Sequence, residues 1–162
     1  MSKKEIPVTQ AIRFLKQKSI PYEPYFYEYE EKGGTSQTAR ELGIDEHSII
    51  KTLVFETDSK EIIIMLQHGD LSVSQKELTR QIGVKSIEKC DEKKAQNATG
   101  YQFGGTSPFG TKKPISVYAE ASIFDLEKIY INGGKRGFII GISTADLNKA
   151  LIITKVNANI AK

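Results

Sequence analysis

Residues 49–67 constrain this chain most. Ile49-Ile50-Lys51-Thr52-Leu53-Val54-Phe55 and Glu61–Gln67 are two strand-length, β-branched and apolar runs. The residues between them, Thr57-Asp58-Ser59-Lys60, suit a hairpin turn. Around the hairpin the period alternates. Val8, Ala11, Ile12 and Leu15 fall at helical spacing, and Pro21 and Pro24 end that helix. Tyr22–Tyr29 reads as an aromatic strand. Thr35–Leu42 reads as a helix closed by Gly43. Ser74-Gln75-Lys76-Glu77 is a capping box for a helix ending at Gly83. Val84–Ile87 is expected as a short strand and Asp91–Ala95 as a helical turn. Ile115–Ala119, Ile129–Ile131 and Phe138–Ile142 read as strands, and Ser143 starts a last helix through Leu151. Interleaved strands and short helices imply α+β or α/β with a mixed sheet.

A length of 162 residues is one domain's worth, expected to span 1–162, and buries roughly 70% of its unfolded surface. With 39% hydrophobic and 27% charged residues the chain is not largely disordered. The 23 basic against 20 acidic residues leave +3, too little for a histone-like binder of nucleic acid but compatible with a local basic patch. Cys90 is the only cysteine, so no intramolecular disulfide forms, and one thiol with two histidines cannot build a structural zinc site. Apolar runs such as Ile62–Leu66 are far shorter than the ~18 residues of a membrane span. Met1-Ser2-Lys3-Lys4-Glu5 leads into an amphipathic pattern rather than a signal core. The expectation is a soluble, cytoplasmic domain.

Three features could carry chemistry. Lys51 interrupts an apolar strand, where an ammonium must reach water or meet an anion. Gly104-Gly105-Thr106-Ser107-Pro108-Phe109-Gly110 is either a compact structural loop or a backbone cradle for a ligand oxygen. It lacks the Walker Gly-Lys-Ser/Thr and the G-x-S-x-G spacing of a nucleophile elbow. Gly133-Gly134-Lys135-Arg136-Gly137 is either a solvated hairpin or a phosphate-binding turn, with Lys112 and Lys113 as further cations if the turns meet at one mouth. Cys90 reads as inert packing, and His47 and His68 flank strands and could as easily be surface residues. No serine, cysteine or histidine constellation, and no metal set, assembles from spacing.

Ile50-Lys51-Thr52-Leu53, Thr99-Gly100-Tyr101, Gly104–Gly110 and Ile129–Gly137 occur in an order and spacing that resemble the YbaK/EbsC family, over roughly Val8–Leu151. That family comprises free-standing relatives of the editing domain of bacterial prolyl-tRNA synthetase. The resemblance implies an α+β fold, a curved, barrel-like mixed sheet flanked by helices. It implies an enzyme, a hydrolase or lyase deacylating mischarged aminoacyl-tRNA. The nearest likeness is to the Cys-tRNA(Pro) deacylases, with Ala-tRNA(Pro) deacylases next; a non-catalytic tRNA- or synthetase-binding module is the rival reading. By motif, Lys51 is the catalytic lysine. Tyr27, Thr52, Tyr101, Gly104, Gly105, Thr106, Ser107, Gly110, Asn132, Gly133 and Gly134 are substrate-binding positions. Lys112, Lys113, Lys135 and Arg136 are tRNA contacts. The implied partners are aminoacyl-tRNA, tRNA(Pro) favoured, with docking to prolyl-tRNA synthetase left open; no cofactor, metal or membrane is implied. The sequence departs at Asn132, where Cys-specific members commonly have Ser, and at Ile139, where they commonly have an acid. These changes leave the amino acid open between Cys and Ala. Lys51 as a general base near pH 7 would need a shift of ~3.4 units, or roughly 4.6 kcal/mol, so a charged, positioning lysine is the expectation. In the Cys-specific mechanism the substrate's own thiol attacks the ester.

Overall fold

The computed structural model describes residues 5–162; Met1–Lys4, the polar start of the chain, lie outside them. The first helix, α1 (Gln10–Gln17), is capped by Thr9, whose hydroxyl accepts from the Ile12 amide at 3.1 Å. It buries Ala11, Ile12 and Leu15. Val8, which the spacing puts on that face, precedes the cap and is 72% exposed. Strand β1 (Glu23–Phe26) is shorter than the aromatic run and forms a sheet edge, the place where Pro24 costs no ladder bond. Helix α2 (Gly34–Leu42) closes on left-handed Gly43. The hairpin follows as β2 (Ile49–Thr57) and β3 (Ile62–His68), paired Ile50 to His68 through Glu56 to Ile62.

Short β4 (Leu71–Val73) leads to α3 (Gln75–Ile82), with Ser74 capping the Glu77 amide and Gly83 left-handed at its end. Strand β5 (Ile87–Lys89) starts later than expected. Val84 N–H is used by the α3 terminus, and those of Lys85 and Ser86 by Asp58. Helix α4 (Glu92–Thr99) is longer than a turn, because Asp91 caps it and left-handed Gly100 ends it. The glycine loop then leads into β6 (Ser116–Glu120), β7 (Lys128–Lys135), β8 (Phe138–Ser143), α5 (Thr144–Ala150), β9 (Ile153–Val156) and β10 (Asn159–Ala161). No helix among the described residues is long and apolar enough to cross a membrane.

The main sheet runs β1-β8-β7-β2-β3-β6-β9, with β5 also on β2; β10 pairs β4 separately. β2–β7, β3–β6 and β6–β9 are parallel and the others antiparallel, the mixed sheet flanked by helices that the sequence implied. Both faces are covered. Ile64 and Leu66 of β3 pack with Ile50, Ile131, Ile140 and α1 on one side; Ile63 and Met65 pack with Phe55, Leu78 and Val156 on the other. A central strand buried on both sides has no polar face, which is why β3 reads as a continuous apolar run.

Candidate functional site

Strand β2 has two partners on one edge, and they do not meet. β7 pairs only with Ile49 and Ile50, and β5 only with Phe55–Thr57. Cys90 N extends the β5 side by one bond, to Val54 O at 3.0 Å, so the ladder on that edge is open over residues 51–53. The cause lies in β7, whose register breaks between Asn132 and Lys135. Glycine is required at this break. A Cβ on Gly133 would stand 2.4 Å from the Phe138 ring, and Gly134 has φ +99°.

Lys51 and Thr52 lie in the opening and point to opposite faces. Lys51 is half-buried and its Nζ donates to the Leu71 carbonyl of β4. Burial lowers its pKa and nearby Lys162 adds to that, while Glu46 and Asp70 oppose it. The ammonium thus rests on a backbone oxygen, and Lys51 keeps part of its surface in solvent. An ammonium has three donors, and among the described residues only this one is used. On the other face, Thr52 Oγ1 is buried without a hydrogen-bond partner among the described residues.

The glycine loop and the β7–β8 turn meet, as one of the sequence readings required. Asn132 joins them: its Nδ2 donates to Gly104 O at 3.1 Å, and its Oδ1 accepts from Gly134 N at 2.7 Å and Lys135 N at 3.2 Å. Arg136 Nε donates to Phe103 O at 2.7 Å, and its guanidinium lies 4.9 Å from the Tyr29 ring centre. The Gly105 amide is not free: it donates to Gln102 O at 2.8 Å, closing a turn over Gln102–Gly105. A Cβ on Gly105 would sit 2.9 Å from Arg136 N.

Further along, buried Ser107 accepts from the Phe109 amide at 3.1 Å, and the buried Tyr101 hydroxyl donates to Phe109 O. Burial drives the Tyr101 pKa far up, so this phenol stays neutral. Gly110 packs on α1, where a Cβ would come within 2.7 Å of Gln10 O. Thr106 is half-buried. Tyr27 is half-buried, its amide bonded to Gly137 O at 3.0 Å and its hydroxyl to Thr38. Tyr27, Tyr29, Lys135, Arg136 and Gly137 line an open groove of about 440 Å³. Exposed Lys112 and Lys113 stand beyond the loop, their amides bonded to Thr99 O and Ala98 O at the end of α4.

Outside this region the fold assembles a group that spacing did not reveal. His68, far from being a surface residue, is fully buried. Its Nδ1 is 2.6 Å from His47 O, its Nε2 2.8 Å from Ser122 Oγ, and its ring stacks on His47 at 3.7 Å. His47 Nδ1 in turn meets Asp70 at 2.9 Å. His47, His68 and Asp70 lie close enough to suggest metal ligands. Nearly parallel rings stacked face to face cannot aim in-plane lone pairs at one ion without rotating, so the group reads as a latch joining β3 to its flanking turns. Cys90 has its thiol pKa raised by burial and by the Glu56 carboxylate, the opposite of an activated nucleophile.

The sequence profile of the aminoacyl-tRNA editing domain matches residues 30–150. This chain belongs to that family. The matched span holds Lys51, the glycine loop and the basic turn, and leaves α1, β1, Tyr27, β9 and β10 outside. The editing-domain chain is 30% identical, over 87% of its own length and 87% of the relative's, to EbsC of Enterococcus faecalis, provisionally named a Cys-tRNA(Pro)/Cys-tRNA(Cys) deacylase. It is 33% identical over 54% of its length to a proline–tRNA ligase of Brachyspira hyodysenteriae, of which the match spans 15%. Among solved structures it superposes on a provisionally named trans-editing enzyme for prolyl-tRNA synthetase, with TM-score 0.75 and 16% identity over 94% of this chain and 99% of that one. A hypothetical protein superposes with TM-score 0.84 at 17% identity, over 93% of this chain and 99% of the other. At such identities the likeness is one of fold.

Proposed function

We propose that this editing domain deacylates mischarged aminoacyl-tRNA, with Cys-tRNA(Pro) as substrate and the substrate's own thiol as nucleophile. The observation that carries this reading is the lack, among the described residues, of an activated nucleophile beside the opening in β2: the Thr52 hydroxyl there has no partner to take its proton. Ser107 is buried and bonded, the Cys90 thiol is held protonated, and His68 has no exposed surface. The relative EbsC supports the amino acid.

In this reaction a bond forms between the cysteine sulfur and the carbonyl carbon. The ester C–O bond breaks, and the terminal ribose oxygen leaves with a proton. A thiol with an unperturbed pKa near 8.5 is a few per cent thiolate at pH 7 unaided. Lys51 serves as a cation: its two unused donors take the terminal phosphate or ribose and fix the ester. The Gly104–Gly110 loop with Tyr27, Thr52, Tyr101, Asn132, Gly133 and Gly134 shapes the pocket. Lys135 and Arg136, with Lys112 and Lys113 farther out, take acceptor phosphates.

Ala-tRNA(Pro) is the second reading, with water as nucleophile. The observation favouring it is apolar, buried Ile139, which pairs with Asn132 across β7–β8. Cys-, Ser- and Ala-charged tRNA(Pro) assayed side by side separate the two. The thiol mechanism gives fast Cys release, slow Ser release and a cyclic cysteine thiolactone by mass spectrometry. Fast cleavage of the Ala ester without such a product establishes the second reading instead.

A further inference from the structure

The turn over Gln102–Gly105 is held unusually firmly for one that carries an exposed aromatic ring. Its closing bond runs from Gly105 N to Gln102 O, and Gly104 takes φ +87°, the third-position conformation of a type II turn. The Phe103 carbonyl is held by Arg136 and the Gly104 carbonyl by Asn132, so two side chains of the β7–β8 segment grip the corner of the turn. Arg136 is itself stacked on Tyr29, whose hydroxyl stands over Gly104. The backbone of Phe103 is thereby fixed while its ring is 60% exposed. It is the only aromatic among the large hydrophobic side chains exposed in the described residues.

An exposed aromatic side chain on a fixed backbone, held by Arg136 of the Arg136–Tyr29 stack and with exposed Lys135 next to Arg136 in the chain, has the composition of a single-stranded nucleic-acid platform, where bases stack on rings and cations follow the backbone. From this we infer that Phe103 is a stacking platform for an unpaired base in the single-stranded 3′ tail of the tRNA. The inference rests on the deacylase reading for its ligand. The base contacts the ring, the neighbouring phosphate meets Lys135, and the terminal nucleotide is delivered toward the opening in β2. Phe103 is a positioning residue: it holds the tail and touches no reacting atom.

The chain has no tryptophan, so Phe103→Trp places a single fluorophore at the platform. The probe is an uncharged RNA minihelix ending in a single-stranded ACCA tail. Titration quenches the fluorescence saturably. A blunt minihelix without the tail does not, and an abasic ribose at one of the four tail positions abolishes the effect. Equal quenching by the blunt duplex, or none by the tailed RNA, overturns the platform.

Independently, Phe103→Ala raises KM for a charged minihelix about tenfold, the size of one lost stacking contact, at unchanged kcat and unchanged melting temperature. Phe103→Tyr restores the KM. An unaltered KM in the Ala variant, with deacylation intact, overturns the platform and leaves the deacylase reading standing. If the unmodified chain cleaves no aminoacyl ester, that reading falls. The fluorescence titration, which uses uncharged RNA, still decides the platform.

Discussion

At the scale of the residue, Thr52 and Lys51 both separate activity from stability. Thr52 buries a hydroxyl with no partner among the described residues, and an unsatisfied buried hydroxyl costs about 1–3 kcal/mol. Valine has the same shape without the oxygen. Thr52→Val is expected to leave stability unchanged or raise it by about 1 kcal/mol in denaturant unfolding, and to slow deacylation, the pattern of a group kept for the substrate. A clear loss of stability would instead place that hydroxyl in the packing. Lys51→Ala removes a half-buried charge whose only bond among the described residues is to Leu71 O. Deacylation is expected to fall to background while the urea midpoint stays within a few tenths molar of the parent. Activity close to normal would take Lys51 out of the reaction.

At the scale of the element, the glycine loop and the β7–β8 turn act as one unit, and substitutions in either should be felt by both. Gly105 illustrates this. As a backbone donor to a substrate oxygen it is already spent on Gln102, so its value lies in the close approach of Arg136. A Cβ 2.9 Å from a backbone nitrogen cannot be relieved by turning a side chain. Gly105→Ala is expected to cost ~1–3 kcal/mol of stability by overpacking and to lower kcat by separating loop from turn. Asn132→Ala loses the one bond that bridges loop and turn and the two that fix the turn itself, together worth about 2 kcal/mol net. Thermal unfolding and kcat measured on the same sample check both. Among the cations, Arg136 is bound to Phe103 and Tyr29, while Lys135 is exposed. Lys135→Gln is therefore the cleaner test of phosphate contact: the slope of log K against log salt should shrink by ~0.7–0.9 without altered substrate preference.

At the scale of the whole molecule, the latch around His68 couples stability to pH. Burial lowers the His68 pKa below its ordinary value near 6.5, an effect only partly offset by the His47 carbonyl. The unfolded chain therefore accepts a proton near pH 6.5 that the folded chain refuses until a lower pH. Stability from this site is complete above about pH 6.5 and declines as pH falls toward the folded-state pKa. Glu23, Asp58 and Glu77 have pKa values held below the ordinary carboxylate range, by Lys128, by the Ser86 amide and by Arg80 respectively. Their contributions are lost only at lower pH, below about 4.5. A fall in urea midpoint between pH 7 and pH 5.5, abolished in His68→Gln, is the expected result; the same fall in that variant would assign it to other groups.

The sequence by itself determined the elements with strong local signals. The β2–β3 hairpin, the Ser74 and Ser143 caps and the left-handed glycines ending α2 and α3 depend on contacts within a few residues, which spacing records. The family, too, was legible, because its motifs are short and keep their spacing. Strands β4, β9 and β10 left no trace, since strands of three and four residues are too short to carry an alternation to read. The opening in β2 was equally invisible. It exists because β7 and β5 share one edge without meeting, a relation among segments about 30 and about 80 residues from β2. The same holds for Phe103 and His68, a ring left in water and a ring removed from it. Their residue types say nothing of that difference. Burial depends on what long-range packing places above a side chain, and for these residues only the tertiary structure decided it.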